Sequence, residues 1–157
     1  IPWNQRYRAL GECVDALRTL WRDDEPEFHG EFYDFDPVWS YPKPLQQPGP
    51  PILCGMSGRL GTEHAIAWAD IWMPMDIALG AVDKRVRKFR EATAAAERAA
   101  VPITIVTWGD PTIDTLLHYR DLGIDRVVLG AARVGWDDPT TTIPFLDRYT
   151  PHVETLR

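Results

Sequence analysis

Apolar residues recur every three or four positions between Asn4 and Trp21. Leu10, Val14, Leu17 and Trp21 mark one face, with Arg6, Arg8, Glu12 and Arg18 between them. That spacing predicts an amphipathic helix. The run Arg22-Asp23-Asp24-Glu25-Pro26 ends it with four charges and a proline. From His29 to Phe35 aromatic and polar residues alternate, as in a short half-buried strand or ribbon. Pro37, Pro42, Pro44, Pro48, Pro50 and Pro51 then exclude regular structure. Residues 23–51 are therefore read as a proline-rich insertion within a single domain spanning residues 1–157. Connectors of this length inside a compact domain tend to be functional.

Beyond Pro51 the pattern becomes strand, helix, strand, helix. Ile52–Cys54 is an apolar run followed by a helix over Thr62–Ala69. Ile71–Met73 is followed by a helix over Ala81–Ala100, whose alternating charges read as a solvated face. The β-branched run Ile103–Trp108 precedes a helix from Pro111 to Leu122, with Asp110 as its cap and Gly123 as its stop. Arg126–Gly130 and a helix over Ile143–Leu156 complete the series. Four strand–helix units after one helix predict an α/β fold with a parallel sheet. Two architectures satisfy that order: an open doubly wound sheet, or part of a (β/α)8 barrel. A barrel arc would leave an uncovered inner face, carrying residues such as Trp72 or Trp108, that needs a second half.

Composition narrows the function. Seventeen Lys and Arg against 23 Asp and Glu give a net charge of -6, without the basic face that nucleic-acid binding requires. No apolar run approaches the roughly 18 residues of a membrane span. Two cysteines, Cys13 and Cys54, sit in apolar patterns and make no disulfide framework, which fits a cytoplasmic setting. The four histidines lack metal-ligand spacing, so no metal is expected. His64 and His118 fall in helices, where packing or exposure explains them. The chain opens Ile1-Pro2-Trp3-Asn4, without an initiator Met or a signal segment, and the expectation is a processed product, an engineered chain or a piece of something longer.

The sharpest chemical candidate is Gly55-Met56-Ser57-Gly58-Arg59, between a strand and a helix. Glycines admit close approach of an anion, helix-start N–H groups point at it, and Arg59 would add charge-assisted bonds. The same residues also suit a plain tight turn, with Ser57 as N-cap and Arg59 in water. Other candidates stand at the strands' carboxyl ends: Met75 and Asp76; Trp108, Gly109 and Asp110; Gly130 and Arg133. Asp76 precedes no evident helix start, which leaves it open to a functional role. Trp39 and Tyr41, in the connector, suit either a lid over a flat ring or plain packing. The Gly55, Gly58, Gly61 spacing lacks the dinucleotide fingerprint.

Several stretches together resemble the luciferase-like monooxygenase family, particularly its actinobacterial deazaflavin-dependent branch. They are Arg6–Trp21 with Phe28–Phe35, Pro42–Pro48, Pro50–Ser57, Ala69–Pro74 and Arg126–Gly130, in the family's order. Two positions depart from its pattern: Cys54-Gly55 stands for the usual Gly-Gly, and Asp70-Ile71 for the usual Asp-Gly. There is also about one extra residue between Ser57 and Asp70. The resemblance implies a partial (β/α)8 barrel, roughly strands five to eight with their helices, one preceding helix and an irregular insertion. It implies an oxidoreductase or monooxygenase using coenzyme F420, as first choice, or FMN. Hydride transfer or oxygen activation would act on an unknown small organic substrate. Gly55, Met56, Ser57, Gly58, Arg59, Asp76 and Trp108 would bind the cofactor, and no residue is singled out as catalytic. The partner implied is a second copy or a missing N-terminal half. The alternative is a noncatalytic half-barrel acting as an oligomerisation module.

Overall fold

The computed structural model describes residues 1–130 and 134–156. Arg133, a rim candidate, lies outside them. A 3-10 turn over Trp3–Gln5 leads into helix α1 (Arg6–Arg22), which buries Ala9, Val14 and Ala16. Its predicted stripe is shifted: Leu10 and Leu17 remain partly exposed. Strands β1 (Phe28–His29) and β2 (Asp34–Phe35) form a small antiparallel hairpin. Glu12 of α1 anchors it, because its carboxylate accepts the N–H groups of Phe32 at 2.7 Å and Tyr33 at 2.8 Å. Desolvation works against the charged Glu12 carboxyl. The N–H groups of Tyr33, Phe32 and Glu31, with the Arg8 charge, nevertheless hold it below its ordinary value.

The four predicted apolar runs become β3 (Leu53–Cys54), β4 (Ile71–Trp72), β5 (Thr104–Trp108) and β6 (Arg126–Gly130). β3 pairs with β4 and β5 with β6, all parallel. Parallel bridges Trp72–Ile103 and Met75–Val106 join the two pairs, so the strands adjoin in chain order. Among the described strands the order contains no reversal of the kind that marks a doubly wound sheet. The sheet does not close into a barrel among the described residues.

Alternation along the strands separates two faces. Cys54, Trp72, Ile103 and Ile105 enter one core with residues of α1, α2 (Arg59–Trp68), α4 (Val82–Ala95) and α5 (Ile113–Asp121). Val127 and Leu129 continue this face against Leu116, Phe145 and Tyr149, the last two from α6 (Pro139–Tyr149). On the opposite face Leu53, Val128 and Trp108 are 40%, 41% and 52% exposed. The expectation that Trp72 shares the uncovered face is corrected. It is 1% exposed and stacks on Phe89 at 4.2 Å, because it pairs with Cys54 on the helix side.

Several helix bounds also differ from expectation. Thr112 caps α5 by accepting from the Thr115 N–H, which frees Asp110 to pair with Arg148 at 2.7 Å. Asp76 does open a helix, the single-turn α3 (Asp76–Leu79). The last predicted helix divides into α6, a 3-10 turn over Thr150–His152 and α7 (Val153–Leu156), with Pro151 at the break. The basic residues around α4 are not all solvated. Arg85 and Arg98 are half-buried, and Arg98 donates to the carbonyls of Ala65, Ile66 and Ala69, closing the end of α2.

Candidate functional site

The carboxyl ends of β3, β4 and β5 form one rim that carries the predicted site residues. Leu53 and Cys54 are tied to β4, and the chain then turns through Gly55–Gly58 into α2. Gly58, not Ser57, is the N-cap; it is extended, and no side chain caps the helix there among the described residues. The first-turn N–H groups of a helix have no intrahelical acceptor, so this end presents donors and a positive partial charge. A Cβ added at Gly58 would meet nothing within 4 Å, so the cap opens onto free space.

Gly61 has the opposite character. Its ideal Cβ would lie 2.3 Å from the Met56 Cβ and 3.1 Å from the Met56 carbonyl carbon. Its missing side chain therefore lets the loop lie against the first turn of α2. Met56 packs against the main core. Burial pushes the Cys54 thiol up, against a hydrogen bond involving the Met56 backbone, so this cysteine serves as a small core residue.

Two other residues fix the loop from the helix side. The Trp72 indole N–H donates to the Met56 carbonyl at 2.9 Å, and Arg85 of α4 donates to the Ser57 carbonyl. Arg59 instead pairs with Glu63 at 2.8 Å along α2. Arg85 is a second cation at this loop, one that sequence reasoning missed. The available signal was its place between Val82 and Phe89, one turn from each, beside the apolar stripe of α4.

Asp76 and Trp108 meet directly. Asp76 Oδ1 accepts the Trp108 backbone N–H at 3.0 Å and that of Ile77 at 2.7 Å. The Trp108 side chain belongs to the open face, opposite Gly130 in register, and the Gly109 N–H donates to the Gly130 carbonyl at 3.1 Å. Trp39 and Tyr41 are elsewhere. The Tyr41 hydroxyl donates to Asp24 beyond the end of α1, and Arg18 of α1 binds Trp68 and Asp70, which precede β4. Trp39 and Tyr41 thus gather with Asp24 and Glu25 near the carboxyl end of α1, the end that Arg18 ties to the start of β4.

A cavity of about 690 Å³ lies beside Arg18, Pro48 and Asp70, at the amino end of β4. A smaller one of about 280 Å³, lined by Arg59, Trp72, Arg85, Lys88 and Phe89, adjoins the Gly55–Arg59 loop. No cluster of three metal-ligating side chains occurs among the described residues. None of the described helices is long and apolar enough to cross a membrane.

Likeness to known proteins places the chain in a family. The profile described as luciferase-like monooxygenase matches residues 1–115. The chain belongs to the luciferase-like monooxygenase family. An uncharacterized Mycobacterium tuberculosis protein is 33% identical over 144 residues, covering 88% of this chain and 49% of its own length. An FMNH2-dependent dimethylsulfone monooxygenase of Pseudomonas putida is 36% identical over 107 residues, covering 66% of this chain and 29% of its own length. The fold matches that of monooxygenase RslO1 from Streptomyces bottropensis with a TM-score of 0.52 and 23% identity, over 78% of this chain and 39% of that one. The chain spans about half the length of the curated mycobacterial relatives it matches.

Proposed function

We propose that this luciferase-like chain supplies the phosphate-binding side of a flavin-dependent monooxygenase site that takes reduced FMN and a small organic substrate. The observation that carries this reading is the start of α2, where a glycine cap in open space leads a first turn with no side-chain acceptor among the described residues. Gly55, Met56, Ser57, Gly58 and Arg59 form the cradle, and backbone N–H groups suit a dianionic phosphate. Relatives named as FMNH2-dependent support FMN. Coenzyme F420, placed first by the sequence resemblance, has no such support.

Bound there, reduced flavin would supply the electrons for dioxygen activation. The chain's own residues bind and orient. Trp108 offers an aromatic surface on the open face, next to the rim. Asp76, whose Oδ1 accepts two backbone N–H groups, holds the β4 and β5 ends together rather than moving a proton. The exposed Leu53, Trp108 and Val128 support closure of this face by further strand–helix units, from the same chain or a second copy. A purely noncatalytic module has no observation in its favour beyond that same face.

Fluorescence titration with FMN and riboflavin tests the phosphate site. Tighter binding of FMN, competed by inorganic phosphate, is expected. Equal affinities for the two flavins would remove the reading.

A further inference from the structure

We infer that Trp72 and Arg85 are positioning residues that clamp the phosphate loop from behind, so that its N–H groups are set before the ligand arrives. This rests on the phosphate-loop reading above. Two consecutive loop carbonyls, those of Met56 and Ser57, are each held by a side chain from another element. A peptide group is rigid and planar, so fixing a carbonyl also fixes the N–H of the next residue, which points the opposite way. Clamping Met56 O orients the Ser57 N–H, and clamping Ser57 O orients the Gly58 N–H. These two amides lead into the open turn at the start of α2.

Both clamps are themselves held. Trp72 is 1% exposed and stacked on Phe89 at 4.2 Å, which gives its indole one orientation. Arg85 is half-buried and leaves α4 beside Phe89, on the wall of the 280 Å³ cavity. Loops containing glycine have many conformers, and selecting one beforehand removes an ordering cost from binding. Arg85 therefore acts through the loop backbone, not as a phosphate ligand.

The test measures the ratio of FMN to riboflavin affinity in the wild type and in Trp72→Phe, Arg85→Met and Lys88→Met. Trp72→Phe keeps an aromatic ring facing Phe89 and removes the donor together with part of the buried indole volume, so its stability is measured alongside. Lys88→Met removes the same charge about one turn further along α4. The clamp predicts that Trp72→Phe and Arg85→Met each lower the ratio by about tenfold, with riboflavin affinity unchanged. Lys88→Met should keep the wild-type ratio. A loss confined to Arg85→Met, or one shared by Lys88→Met, would show through-space attraction and overturn the clamp. If Trp72→Phe does not fold, Arg85→Met at about 1 M salt decides. Its loss must persist there, since screening removes long-range attraction but not a half-buried hydrogen bond. A wild type that does not distinguish FMN from riboflavin overturns the phosphate-loop reading itself, a different result from a discriminating wild type with indifferent variants.

Discussion

The Asp76 carboxylate accepts the backbone N–H of Trp108 at 3.0 Å, joining the turn after β4 to the last residue of β5. Between β4 and β5 the described pairing is limited to two bridges, so this side-chain bond reinforces a sparse seam. Asp76→Ala should destabilise the fold by about 1–2 kcal/mol, the cost of removing a charged acceptor from two N–H groups. Asp76→Asn, which keeps an acceptor oxygen, should lose less. Urea denaturation measures both, and an unchanged midpoint for Asp76→Ala would contradict the role.

Gly61 tests how closely the loop must lie against α2. In an open helix, Gly→Ala adds about 1 kcal/mol of stability through propensity alone. Here the new Cβ would come 2.3 Å from the Met56 Cβ, with backbone atoms of Met56 just behind it. Gly61→Ala should therefore displace the loop, lower stability and weaken FMN binding more than riboflavin binding. Thermal unfolding together with flavin titration separates the two effects, and a net gain in stability would refute the packing argument.

The hairpin has a pH window set by two groups. Its hydrogen bond to Asp34 raises the His29 pKa, burial opposes this, and the charges of Asp34, Glu27 and Asp36 add to it. The resulting stabilisation is complete below the ordinary value of 6.5 and is lost as pH rises through the raised one. Glu12 runs the other way: its contribution is present above the ordinary 4.5 and is lost as pH falls through the lowered value. Amide hydrogen exchange, corrected for its intrinsic pH dependence, should show strongest hairpin protection between these values. Asp34→Asn should flatten the alkaline limb and Glu12→Gln the acid limb. An Asp34→Asn profile that coincides with the wild type would exclude the ion pair as its source.

The strand positions were legible because an apolar run flanked by turn residues carries its own signal. Arg126–Gly130 has the predicted bounds, and Ile103–Trp108 differs by one residue. The family was also legible, through several weak stretches in a fixed order. Arg85 and Arg98 were not. Arg85 stands among seven charged residues of α4 and Arg98 just beyond its end, and nothing local tells a side chain that reaches a distant carbonyl from one in water. Asp110 and Thr112 both suit a helix cap, and the choice depends on Arg148, which lies 38 positions beyond Asp110. The face of Trp72 follows from pairing with Cys54, which only the register reveals.

Arg98 carries a prediction of its own. It follows α4 and donates to Ala65 at 3.0 Å and Ala69 at 2.6 Å, as well as to Ile66, at the carboxyl end of α2. A guanidinium at a helix carboxyl end satisfies free carbonyls and complements the helix dipole. Arg98→Met keeps much of the stem and removes the donors. It should cost about 1–3 kcal/mol by chemical denaturation. Because the contact lies at the amino end of the strands, FMN affinity should stay unchanged, and a parallel loss of affinity would contradict that separation.

The open sheet face yields the last prediction. Val128, Leu53 and Trp108 lie on the side that no described helix covers, and Val128 is opposite Val106 in register. A face built of β-branched and aromatic side chains gains by leaving water, roughly 25 cal/mol for each Å² buried. Val128→Lys adds a charge there while leaving the helix-side core intact, so the folding stability of the monomer should change by less than about 0.5 kcal/mol. If the face is covered by a second copy or by further strands, the substitution should weaken that association by about tenfold or more, since an unpaired charge is costly to bury. Sedimentation velocity across a concentration series reads the association, and binding of an apolar dye reports how much of the face stays open. A wild type that sediments as a monomer without binding dye, with an identical Val128→Lys, would mean that the face needs no partner.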